Sequence, residues 1–84
     1  MAETITCHVT QDQIDDGVPR SEYSCPIALA LEGQFGKAEI RVDGESVTID
    51  GERYETSQAA MRFIIAFDTR QIVSPATFRF RRIS

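Results

Sequence analysis

Two parts of the chain alternate apolar and polar residues with the period of a β-strand. Near the N-terminus, the segment 4–9 places three apolar side chains on one face: Ile5, Cys7 and Val9. The segment 38–55 alternates in three runs separated by Asp43-Gly44 and Asp50-Gly51. Asp-Gly is favoured in type I′ hairpin turns, where both central residues need a positive φ. The segment therefore predicts a three-stranded antiparallel meander.

A final strand is predicted near the C-terminus by the same alternation. Phe78 and Phe80 are expected to face the core, and Arg79 and Arg81 to face outward. Arg82 interrupts the pattern. It predicts that the strand frays at this residue or lies at an edge of the sheet.

Two helical segments precede the meander. Thr10 and Gln13 have capping-box spacing, and Gly17 with the following proline predicts that this short acidic helix ends there. The second segment is the longest apolar run of the chain. Pro26 suits its first turn and Ser24 or Cys25 its N-cap. The helix is expected to end at about Glu32, with Gly33 and Gly36 as candidate C-caps. Because this run is apolar on every side, it must be covered over most of its circumference.

A third helix is predicted from about Ser57 to Thr69, with Thr56 or Ser57 as its N-cap. Four residues fall at helical spacing on one face: Ala60, Phe63, Ile64 and Phe67. Met61 and Ile65 are expected to widen this apolar stripe. The amphipathic pattern predicts that the helix packs on the apolar face of the meander.

The predicted element order is β-α-α-β-β-β-α-β, which indicates an α+β fold. We expect a two-layer sandwich, with an antiparallel sheet of four to five strands and two main helices on one face. The 84 residues form one domain, 1–84. No run approaches the roughly 18 apolar residues of a membrane span, and the N-terminus lacks a signal-peptide pattern. A cytoplasmic protein with reduced cysteines is expected.

The net charge of −4 is unevenly distributed along the chain. Residues 1–55 carry twelve acidic and four basic side chains, whereas residues 56–84 carry one acidic and five basic side chains. This asymmetry indicates either faces for partners of opposite charge or two halves that neutralise each other across one fold. Mutual neutralisation is the commoner outcome.

Candidate chemistry is sparse. No nucleophile triad, phosphate-binding loop or zinc-helix motif is present, so no catalytic residue, cofactor or metal is predicted. His8, the one histidine, is expected to face solvent without a role. Cys25 is a candidate reactive thiol, because a helix N-terminus stabilises a thiolate. Burial acts in the opposite direction, and a packing role for Cys25 is the favoured interpretation.

Charged surfaces offer two further hypotheses. Arg79, Arg81 and Arg82 are candidate nucleic-acid contacts, although the acidic total charge disfavours such a partner and cross-strand pairing with carboxylates is the favoured alternative. The acidic residues of the segment 12–55 could instead engage a basic protein surface, or serve only solubility.

Several stretches together resemble a group of small uncharacterised proteins encoded by phages of actinobacteria. They are VTQDQIDDG at 9–17, SCPIALAL at 24–31, VTIDG at 47–51, RFIIAFD at 62–68 and the strand around Pro75 and Phe78. The resemblance implies an accessory protein acting in the cytoplasm of an infected bacterium, and it transfers no catalytic residues.

The leading hypothesis is therefore a non-enzymatic binding module that modulates a host or phage protein, as a monomer or small homo-oligomer. The alternative is a nucleic-acid-binding accessory protein that uses the arginine-rich C-terminal strand. Neither hypothesis involves a membrane.

Overall fold

The computed structural model describes residues 4–36, 38–43 and 45–83, and this part of the chain forms five strands and three helices in the predicted order. The elements are β1 (Thr4–Val9), α1 (Gln11–Asp16), α2 (Pro26–Phe35), β2 (Ile40–Val42), β3 (Ser46–Ile49), β4 (Glu52–Glu55), α3 (Gln58–Asp68) and β5 (Ala76–Arg82). The predicted α+β class is confirmed.

The five strands form one antiparallel sheet in the order β1-β5-β4-β3-β2. The meander β2-β3-β4 is confirmed. The turn at Asp50 and Gly51 has φ values of 48° and 84°, as a type I′ turn requires. The other predicted turn is Asp43-Gly44, and its Gly44 lies outside the described residues.

The prediction for the end of β5 is wrong. This strand runs through Arg82 and lies inside the sheet, between β1 and β4, instead of fraying or forming an edge. Its two phenylalanines explain the placement. Phe78 lies opposite Cys7 and Phe80 lies opposite Ile5, so that both rings are covered by neighbours and by the helices.

The predicted caps are present at the first two helices. Thr10 and Gln13 form the capping box of α1. Cys25 is the N-cap of α2, and its Sγ accepts a hydrogen bond from the Ala28 N–H at 3.4 Å. Helix α2 continues beyond the expected end to Phe35, because the chain leaves the helix at Gly36, whose φ of 68° suits glycine.

Both main helices cover the same face of the sheet. The Cys7 thiol on β1 lies 3.9 Å from the carbonyl oxygen of Ile27 on α2. The Phe63 ring of α3 meets the Phe78 ring of β5 edge-on, with centroids 5.3 Å apart. The aromatic contact of α3 is therefore with β5, whereas the sequence predicted packing on the meander. Ala60 and Phe63 belong to the same buried core as the apolar residues of the meander. Ile27 and Leu31 of α2 are completely buried, as its all-round apolar sequence predicted.

The apolar stripe of α3 is narrower than predicted. Ala60 and Phe63 are buried, but Met61 and Ile65 are exposed. Each helical residue turns the direction of the side chain by roughly 100°, so Met61 and Ile65, which follow the buried Ala60 and the half-buried Ile64, point farther from the sheet.

Both edges of the sheet are partly hydrogen-bonded by α2 and the loop before it. At β1, the Gln34 side chain accepts from the His8 N–H at 2.9 Å and donates to the Thr6 carbonyl at 2.6 Å. At β2, the Val42 N–H donates to the Glu22 carbonyl at 2.8 Å. These bonds engage backbone groups that would otherwise be open to another strand.

Candidate anion-binding face

The face of the sheet opposite α2 and α3 is polar. We call it the open face, because the two main helices lie on the other side. Strand alternation and register place these side chains on it: Thr4, Thr6 and His8 of β1, Thr77, Arg79 and Arg81 of β5, Arg53 and Glu55 of β4, Thr48 of β3 and Arg41 of β2. Most of them are exposed.

The structure separates the three arginines predicted to bind nucleic acid. Arg79 and Arg81 are exposed on the open face, as their alternation with the phenylalanines predicted. Arg82 belongs to the other face, and its Nη2 lies 3.1 Å from Glu52 Oε1. For Arg82, the cross-strand pairing expected as the alternative is therefore present. It is not available as a free cation.

Arg79 and Arg81 differ from Arg82 in their electrostatic surroundings. Between the residues that the structure describes, no carboxylate lies within ion-pair distance of either guanidinium. Glu55 lies directly opposite Arg81 in the strand register. The two side chains nevertheless form no salt bridge. Two arginines thus remain available to an external anion.

A cavity of about 260 Å³ lies beside these two arginines, where β4 ends and the chain turns into α3. It is lined by Glu55, Thr56, Ser57, Arg79 and Arg81. The cavity exists because β4 has only four residues and pairs only with the last two residues of β5. Beyond Glu55, β5 therefore has no strand neighbour on this side. Ser57 caps α3, its hydroxyl accepting from the Ala60 N–H at 3.1 Å.

The backbone of Arg79 also faces this cavity. The Gln34 side chain donates a hydrogen bond to the Thr6 carbonyl at the outer edge of β1. The backbone groups of Thr6 therefore point away from β5. The opposing pair of Thr6 and Arg79 is then a non-hydrogen-bonded pair, and the backbone groups of Arg79 point toward the end of β4. The Arg79 N–H therefore points past the end of β4, where β5 has no strand neighbour.

The opposite end of the open face, near β2, is more acidic. Arg41 is paired with Glu22, with Nε and Oε2 3.0 Å apart. Burial raises the pKa of Asp43, but the hydrogen bonds that its carboxylate accepts from Ser46 and Glu45 outweigh burial and hold the pKa below its usual value. Asp43 is therefore ionised at neutral pH. The face is positive over β5 and carries negative charge beside β2.

Cys25 borders a second cavity, of about 230 Å³, between the loop 20–22, Val42, Ile64 and Asp68. The thiol is only 4% exposed. Burial raises its pKa, and the hydrogen bond from the Ala28 N–H lowers it by less. Burial therefore outweighs the helix N-terminus that suggested a reactive thiol. The geometry favours the packing role of Cys25, and its reactivity stays a prediction.

The other candidate ligands do not assemble. His8 is exposed on the open face, with Nδ1 3.1 Å from Thr77 Oγ1, and Cys7 points to the buried side of the same strand. In the described ranges, no three His, Cys, Asp or Glu residues are grouped as metal ligands would be. Over the same ranges, no helix is long and apolar enough to cross a membrane.

Sequence reasoning missed the cavity because its walls come from distant segments. The alternation of Arg53 and Glu55 with Tyr54 indicated that both point outward. It carried no information on which strand would lie beside them. The pairing of Glu55 with Arg81 joins residues far apart in sequence, and this register only emerges when the sheet assembles.

Comparisons of the chain with protein-family models, with curated proteins and with solved structures gave no match. The functional conclusion therefore depends on the geometry of the open face.

Proposed function

We propose that this protein is a non-enzymatic binding module that engages a protein partner through the open face. The observation that carries the proposal is the exposure of Arg79 and Arg81 without a carboxylate partner among the described residues. Unpaired arginines are frequent anchors of protein interfaces, because the guanidinium forms several hydrogen bonds and packs well.

The mixed charge of the open face supports a protein partner. A protein surface can present carboxylates to Arg79 and Arg81 and a cation to Asp43, so that the two charge patterns are complementary. A uniform polyanion would meet the carboxylates beside β2 as well. The total charge of −4 opposes a polyanion in the same way.

Nucleic-acid binding is the second candidate, supported by the same unpaired arginines together with Arg53. Arginines spread over a sheet can bind phosphates, and such binding weakens as salt concentration rises. However, the described part of the open face contains no aromatic ring on which a base could stack. The pairing of Arg82 with Glu52 also removes one of the three predicted contacts.

The resemblance to actinobacteriophage proteins leads us to expect the partner among host or phage proteins of an infected cell. Modulation of that partner is the biological role that we propose. A small domain can act in this way by occupying a surface that its partner needs, without chemistry of its own.

Site-specific photo-crosslinking in lysate of an actinobacterial host tests the proposal. A crosslinking residue at Thr77, on the open face, is expected to capture one protein reproducibly, and the double variant R79E/R81E is expected to abolish that capture. The matched control places the crosslinker at Gln11, an exposed position of α1.

Equal capture from Gln11 and Thr77 would contradict the assignment of the open face. Capture of nucleic acid at Thr77, with an affinity that falls steeply with salt, would favour the second candidate. Duplex and single-stranded DNA and RNA should then be compared by fluorescence anisotropy over a range of salt concentrations.

A further inference from the structure

We propose that the cavity between the end of β4 and β5, lined by Arg79 and Arg81, binds one carboxylate group of an acidic side chain on the protein partner. The inference rests on the proposed function and deepens it, because it names the group that is recognised and the residues that recognise it. It makes Arg79 and Arg81 the centre of the interface.

The spacing of the two arginines suits one small anion. Residues two apart on a strand emerge on the same face, about 6.6 Å from each other along the strand. From these positions two long side chains can converge on a single carboxylate that enters the cavity between them. The cavity of about 260 Å³ has room for a carboxylate with several waters, at roughly 30 Å³ per water.

Hydrogen-bond donors are available in the same place. Each guanidinium presents its donors in a planar fork that matches the two oxygens of a carboxylate. The Arg79 N–H points toward the end of β4 and so toward the cavity. The oxygens of a bound carboxylate would accept hydrogen bonds from these donors. The opposite charges of the guanidinium and the carboxylate strengthen such bonds.

The charge of the cavity distinguishes a carboxylate from a phosphate. Two arginines and Glu55 line it, and their formal charges sum to +1. A carboxylate, with one negative charge, neutralises this wall. A phosphate monoester carries about −1.5 to −2 at neutral pH and would leave uncompensated negative charge beside Glu55. Glu55 therefore acts as a selectivity element that weakens all anions and disfavours multiply charged ones most.

Anion titration followed by ¹H–¹⁵N NMR tests the site on the isolated protein. The probes are sodium acetate and inorganic phosphate at matched ionic strength. Acetate is expected to shift the Arg79 backbone amide and the Nε–H signals of Arg79 and Arg81. The double variant R79Q/R81Q is expected to abolish the amide shift. Because both side chains are exposed, this variant should remain folded. Arg62→Gln on α3 is the matched control.

Glu55→Gln tests whether the Glu55 carboxylate weakens anion binding. If this carboxylate had no such role, the variant would bind acetate as wild type does. The variant keeps the size of the side chain and removes its charge, so acetate should bind about threefold more tightly, the factor expected when a unit charge roughly 6 Å away in water is removed. In this variant the preference for acetate over phosphate should also decrease.

Two results would overturn the inference. The first is the absence of a localised acetate shift in both wild type and Glu55→Gln. The second is tighter binding of phosphate than of acetate to wild type at matched ionic strength, because the selectivity assigned to Glu55 would then be absent. Failure of the proposed function is distinguishable, because it would leave acetate binding intact while the crosslinker at Thr77 captured no protein.

Discussion

Alkaline pH should destabilise this protein through Cys7, whose side chain is completely buried between β1 and α2. Burial raises the pKa of its thiol from 9.0 to about 12, and the neighbouring Cys25 adds to the increase. Between pH 9 and 12 the folded state therefore keeps this proton, whereas the unfolded state loses it. The contribution to stability is complete below pH 9 and decreases as the pH rises.

The expected magnitude follows from the pKa values. One pKa unit corresponds to about 1.4 kcal/mol, so the change from 9.0 to about 12 amounts to a loss of roughly 4 kcal/mol at the upper end of this range. Small domains are stable by about 5–15 kcal/mol, so this loss is a large fraction of the total. Cys25 adds to it, because its pKa is also raised.

Cys7→Ser isolates the effect. The serine hydroxyl does not ionise in this pH range. Its oxygen would lie beyond hydrogen-bonding distance of the Ile27 carbonyl, which even the larger sulfur approaches only at 3.9 Å, so the variant is compared by its pH dependence and not by its absolute stability. Urea unfolding followed by circular dichroism should show that the free energy of unfolding falls less steeply with pH in the variant. Groups that titrate in both proteins cancel in this comparison. Equal pH dependence of wild type and Cys7→Ser above pH 9 would refute the reasoning.

Four further substitutions test the packing and the hydrogen bond at the edge of β1. Leu31→Ala should lower the free energy of unfolding by about 2–5 kcal/mol, because Leu31 is completely buried; chemical denaturation measures this. Gly17→Ala should destabilise by about 1–3 kcal/mol through overpacking, since its Cβ would lie 2.7 Å from the ring of the proline that opens α2. Gly33→Ala is the matched control and should stabilise α2 by about 0.5–1 kcal/mol, because its Cβ would meet only a side-chain nitrogen at 3.8 Å. Gln34→Ala should accelerate hydrogen exchange of the His8 amide, whose acceptor it removes.

Each of these predictions has a result that contradicts it. If neither Leu31→Ala nor Leu29→Ala changed the unfolding midpoint, α2 would not be central to the core. Equal effects of alanine at Gly17 and Gly33 would show that the close approach at Gly17 is relieved without cost. Unchanged exchange at His8 in Gln34→Ala would mean that the side-chain amide does not protect the edge of β1.

Local signals in the sequence identified the elements with their approximate ends. The capping box at Thr10 and the proline at the start of α2 act within one helical turn, and the turn at Asp50-Gly51 depends on the φ values of two residues. The burial of Phe78 and Phe80 and the exposure of the arginines between them followed from the pleat of a single strand. These features need no knowledge of the neighbouring elements.

Strand order and side-chain partners could not be predicted from such local signals. The sequence could not indicate that β5 would lie between β1 and β4, nor that Arg82 would meet Glu52. It also gave no sign that Met61 and Ile65 would be left outside the core. Such outcomes depend on which arrangement buries the most apolar surface overall, and that is a property of the assembled layers.

The sequence by itself thus determined the α+β class, the element order and the direction in which Arg79 and Arg81 point. Only the tertiary structure decided which arginines remain unpaired and that Arg79 and Arg81 border a cavity with Glu55 and Ser57. The physical reason is the range of the interactions. Periodicity and capping act between residues a few positions apart, whereas the cavity requires β4 to end beside β5, and this pairing joins segments separated by a whole helix.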